Sequence, residues 1–198
     1  MSNRTTTILA GMLVIFPTLA LAHVGVGATS GMGAGFAHPL TGLDHILAMA
    51  GVGMIAAYMG GRALWLLPLS FVAMMAVGGL LGVGGMPLPY FEVGIATSVI
   101  AFGALIAARL SMPLMATMAV VAFFAIFHGH AHGTEMPATA AGLTYGIGFM
   151  LATALLHAAG IAVGIGMERM LQATGGRLLR VAGGAMSVVG VIFLVGAI

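Results

Sequence analysis

The sequence has no cysteine and no lysine, and its 198 residues carry only six arginines and four acids. Without cysteine there are no disulfides, thiolate metal sites or iron–sulfur clusters. Any metal must then be met by imidazole, carboxylate or thioether. Without lysine there is no GxxxxGK[ST] loop, which excludes transport powered by the chain's own nucleotide hydrolysis. Charged residues are 5% of the chain, against roughly 25% in a soluble domain. That scarcity excludes a soluble enzyme, a disordered chain and a nucleic-acid binder. The sequence pI near 9.7 reflects few charges rather than a basic patch.

What is present is apolar: 61% hydrophobic residues and a mean hydropathy of +1.19. The composition predicts an all-α integral membrane protein, a bundle of about six transmembrane helices after a cleavable signal peptide. Residues 1–22 fit that leader, with Arg4 before the apolar run Ile8 to Leu19 and Ala20-Leu21-Ala22 as the small-residue cleavage site. An uncleaved first span is the other reading. Cleavage would leave His23 first, outside the cytoplasm. Residues 23–37 are rich in glycine and small side chains and read as a flexible exposed segment. Six apolar runs follow, near 40–60, 63–84, 92–109, 112–131, 138–166 and 178–198, in one domain covering 23–198.

Arginine placement tests that parsing. With residue 23 outside, Arg62, Arg109, Arg169, Arg177 and Arg180 all fall at inner connections, as the positive-inside rule requires. His23, His38, Asp44, His45, Glu92, His128, His130, His132 and Glu135 fall at or near outer helix ends, while Glu168 is inside. The 32 glycines, several at four-residue spacing, suit close helix packing in lipid, and the 17 scattered methionines read as apolar filling.

Two segments carry chemistry. In His38-Pro39-Leu40-Thr41-Gly42-Leu43-Asp44-His45, Pro39 suits a first helical position. Asp44 and His45 then lie a turn or more inside the membrane, where such groups are costly unless they serve a partner or ion. On a straight helix His38 and His45 would be about 10 Å apart along the axis, so one ion could reach both only across a kink, which Gly42 permits. In Phe127-His128-Gly129-His130-Ala131-His132-Gly133-Thr134-Glu135, His128 and His132 share a helix face at i, i+4 and Glu135 extends the stripe. His130 points elsewhere if the helix persists. Gly129 and Gly133 weaken the helix or admit a close neighbour. Imidazole with carboxylate suits nickel, cobalt or zinc.

These segments resemble the HupE/UreJ nickel permeases, whose hallmarks are His-x5-Asp-His in the first mature helix and Phe-His-Gly-x-Ala-His-Gly-x-Glu in the fourth. HPLTGLDH at 38–45 and FHGHAHGTE at 127–135 match both, and the resemblance covers the whole chain. It implies that His38, Asp44, His45, His128, His132 and Glu135 serve recognition or passage of nickel, with cobalt handled by some relatives. It also implies supply of a nickel enzyme such as hydrogenase or urease. The metal is then the transported substrate, with no permanently bound cofactor, and the protein is not an enzyme. It resides in the bacterial inner membrane and leaves a homo-oligomer open.

Three further residues are read from position alone. Glu92 beside Tyr90 and Phe91 is an accessory to metal entry or an interfacial anchor. His157, deep in the fifth run, is an inner-half relay or a structural hydrogen-bonding group. His23 is a capture chelate or an accident of the cleavage site. A zinc-dependent membrane hydrolase using the same His/Asp/Glu cluster is the alternative function. A bis-histidine haem protein is weaker, because His157 has no partner at its depth.

Overall fold

The computed structural model describes residues 31–110, 112–136, 140–170 and 176–198. The expected leader at 1–22 and His23 lie outside the described residues. All regular structure among the described residues is helical: α1 (Met32–Ala37), a 3-10 turn (His38–Leu40), α2 (Leu43–Met59), α3 (Ala63–Val83), α4 (Phe91–Ala108), α5 (Leu114–Glu135), α6 (Ala140–Met170) and α7 (Arg177–Ala197). Five of these, α3 to α7, are long and apolar enough to cross a membrane. A further helix pair passes the same test only when its two bent halves are taken together. The run from Met32 to Leu40 and the run from Leu43 to Met59 meet at 82°.

That break corrects two expectations. The first span does not run unbroken from residue 40, because α2 starts at Leu43 and Gly42 is extended. Residues 31–37 are also not a loose segment. Small side chains there allow α1 to lie against α6, and a Cβ on Gly35 would fall on the Tyr145 backbone. Asp44 consequently stands in the first turn of α2, where the exposed backbone N–H groups favour a carboxylate.

Helix α2 is the central strut. It packs against α3, α4 and α6, while α3 pairs with α5 and α4 with α7. Ala48, Met49, Val52, Ile55 and Ala56 on α2 are fully buried. Outward faces are apolar: Leu80 is 73% exposed and Leu143 70%. Buried polar side chains include His45, Ser98, His128, His130, His132, Thr153 and His157. This inverted distribution suits a multi-pass protein whose solvent is lipid.

The two ends of the bundle differ chemically. At one end Arg109 Nη2 lies 2.8 Å from Glu168 Oε1, tying α4 to α6. There Tyr58 Oη also donates to the Leu110 carbonyl at 3.2 Å, tying α2 to the chain after α4. Arg62, Arg169 and Arg177 flank the same turns. The opposite end carries the histidines.

Candidate metal centre

Helix α5 stays regular to Glu135, and every residue from His128 to Gly133 is buried. The glycines explain how. A Cβ on Gly129 would collide with the Met75 carbonyl, and one on Gly133 with the Gly79 carbonyl. Their absence lets α5 press onto the α3 backbone, which in turn directs His128 and His132 toward α2.

His45 comes from the first turn of α2. Its backbone N–H and its Nδ1 both lie 2.8 Å from Asp44 Oδ1. A carboxylate only accepts, so Nδ1 carries the proton and the Nε2 lone pair faces away from Asp44. There it meets His132 Nε2 at 2.5 Å, so one proton at most lies between them. A carboxylate fixing the tautomer and aim of an imidazole is the usual outer support of a metal-ligating histidine. Asp44 therefore addresses the cluster through His45.

His128 is oriented from α4. The Ser98 hydroxyl donates to the Ile95 carbonyl at 2.6 Å, so at the 3.0 Å contact with Ser98 Oγ the donor is His128 Nε2. Its Nδ1, which then holds a lone pair, has no hydrogen-bond partner among the described residues. The His45 ring centroid is 5.0 Å from that of His128 and 4.5 Å from that of His132.

The bend in the first span completes the group. It swings His38 back so that its ring centroid is 4.6 Å from that of His132. One ligand atom from each of His38, His132 and Glu135 falls within 4.8 Å of the others. His38 is half-buried and Glu135 exposed, whereas His132 is buried. The cluster thus grades from an exposed carboxylate to enclosed imidazoles, with His132 common to the outer group and to the His45/His128 pair. Phe149 closes the side, its ring centroid 4.4 Å from that of His132.

Other residues singled out from the sequence fall outside that group of ligand atoms. Glu92 is exposed in the first turn of α4. His157 is buried in α6, away from the outer end. His130, to which the motif gave no role, is structural: its Nε2 donates to the Met86 carbonyl at 2.7 Å, pinning α5 to the α3–α4 connection. Sequence reasoning did not find Ser98, Tyr145, Phe149 or Phe71. One serine and a few aromatics in apolar runs look like any others, and only their facing distinguishes them.

A family model described as HupE / UreJ protein matches residues 11–193. Protein HupE of Rhizobium leguminosarum bv. viciae is 43% identical over 195 residues, covering 98% of this chain and 98% of its own. No solved structure matches.

Proposed function

This chain belongs to the HupE/UreJ family, known as nickel and cobalt transport proteins accessory to hydrogenase and urease, and from that membership we propose that it is a permease moving nickel inward across the bacterial inner membrane. One observation carries the reading: two motifs whose histidines are 87 residues apart in sequence converge on His132. Burying several imidazoles beside a carboxylate is costly in a membrane protein unless an ion uses them.

The ion is substrate here. Glu135 and His38, at the exposed edge, exchange part of its water shell for a carboxylate oxygen and an imidazole nitrogen. His132 draws it inward toward His45 and His128, whose tautomers are set by Asp44 and Ser98. Only lone pairs ligate, so preset tautomers spare the ion the cost of reorienting each ring. The arginine-bearing end faces the cytoplasm, and the mature N-terminus faces the periplasm. Cobalt is the competing cargo, because imidazole and carboxylate donors accept both metals. The recipient of the metal is a nickel enzyme such as hydrogenase or urease.

The test is uptake of radioactive nickel into proteoliposomes by the intact chain, His128→Ala and Asp44→Ala. The intact chain fills vesicles above empty controls and both variants fall toward background. Equal uptake by all three, or none above empty vesicles, overturns the permease. Stoichiometric zinc without nickel flux would instead favour the hydrolase.

A further inference from the structure

Helix α6 turns a column of residues into the bundle at four-residue intervals: Tyr145, Phe149, Thr153 and His157, all buried. Its outer members line the histidine cluster, with Tyr145 and Phe149 ring centroids 5.9 and 6.1 Å from that of His38. Thr153 follows, its hydroxyl 3.7 Å from Met75 Sδ. The column ends at His157, twelve residues beyond Tyr145 and so about 18 Å further along the axis.

His157 is 1% exposed, and neither ring nitrogen has a hydrogen-bond partner among the described residues. The expectation of a structural hydrogen bond therefore fails. A buried imidazole without partners is destabilising, and an apolar side chain would fill the same space at no such cost. Its chief ring neighbour is Phe71, at 5.1 Å between centroids. Phe71 also lies 5.5 Å from His128. One aromatic ring thus stands between the innermost imidazole of the cluster and an unpartnered imidazole deeper in the bundle.

We infer that His157 is an inner transfer ligand, which takes the divalent ion as it leaves His45 and His128 past the Phe71 ring and hands it toward the arginine-bearing end. The inference rests on the permease reading. Its structural basis is an imidazole lone pair that has no partner among the described residues and lies across the Phe71 ring from His128. A single imidazole binds weakly and leaves most of the ion's remaining waters in place. That suits a point of hand-over rather than of rest.

Two variants separate ligation from packing. His157→Phe keeps an aromatic ring against Phe71 but offers no donor atom, whereas His157→Gln loses the ring and keeps a donor. Nickel uptake is measured in proteoliposomes per inserted chain, and nickel binding at equilibrium on the purified protein. The expected result is a loss of about tenfold or more in uptake for His157→Phe, with outer-site affinity kept within about twofold and His157→Gln ranking above it. Uptake by His157→Phe equal to the intact chain, or ranking at or above His157→Gln, overturns the inference. If the Phe chain does not insert, His157→Leu replaces it. If neither inserts, His157→Ala decides: lowered uptake with intact outer-site binding supports the ligand, and unchanged uptake overturns it. Absence of flux through the intact chain would instead refute the permease reading itself.

Discussion

Removing Asp44 should weaken the candidate metal centre by way of His45. Its Oδ1 meets that residue twice, at 2.8 Å to the backbone N–H and 2.8 Å to Nδ1. Loss of such an outer support costs about 10- to 100-fold in metal affinity, or roughly 1.4–2.7 kcal/mol. Asp44→Ala should therefore weaken equilibrium nickel binding by that factor. His45→Ala, which removes the ligand itself, should weaken it further. The double variant is decisive. With the imidazole gone, Asp44 has nothing to orient, so Asp44→Ala/His45→Ala should match His45→Ala within about threefold. A second effect is separable, because a carboxylate in the first turn of α2 also stabilises the helix N-terminus by about 0.3–1 kcal/mol. That part should appear as a lower melting temperature in detergent in both backgrounds. Affinity penalties that multiply in the double variant would refute the indirect role and make Asp44 a ligand in its own right.

His130→Ala should lower stability by about 1–3 kcal/mol, since the Met86 carbonyl loses its donor, while nickel affinity per folded chain stays unchanged. A fall in affinity on titration of the purified variant would place His130 in the metal centre. Glu168→Gln removes the ion pair with Arg109, whose partners are 28% and 34% exposed. Screening limits the cost to about 0–1 kcal/mol, so any shift in thermal unfolding should vanish in high salt and uptake should not change. Gly42→Ala meets no backbone obstacle, because φ is −93° and ψ 118°. Its Cβ would, however, fall 2.7 Å from Asp44 Oδ1 and 3.0 Å from His45 Nδ1. The fold should survive while nickel affinity drops by up to about tenfold. An unchanged titration would show that the pair can shift without consequence.

Most of the architecture was legible because lipid-facing spans are nearly uninterrupted apolar runs ended by glycine, proline or arginine. The runs at 63–84, 92–109 and 178–198 coincide with α3, α4 and α7 to within two residues. The fifth run fell short at residue 166, since α6 continues through polar Glu168 and Arg169 to Met170. The bent first span was not legible. Gly31, Gly33 and Gly35 read as a loop because small side chains carry no periodic signal, yet the small size of Gly35 is what seats α1 on α6. The motif residues themselves were visible in the sequence, including the need for a kink between His38 and His45. Their supports were not. Ser98 matters because its own proton goes to Ile95, which fixes the sense of the His128 bond. No pattern along the chain encodes that relation.

The polar interior and the glycine-lined crossings have a common cause. Between helices in lipid there is little hydrophobic drive to associate, since acyl chains are as apolar as leucine side chains. The bundle must then be held by backbones in close contact, as where Gly129 and Gly133 of α5 meet the Met75 and Gly79 carbonyls of α3. Side chains relieved of holding the helices together are available to be polar and even unpartnered, as His157 is. It follows that fold and site should respond to different substitutions. Exchanging an imidazole for a side chain of similar volume should leave the crossings intact and change only what the ion meets. Adding one methyl at Gly129 should part α3 from α5 and displace His128 and His132 together, because both ride on that contact.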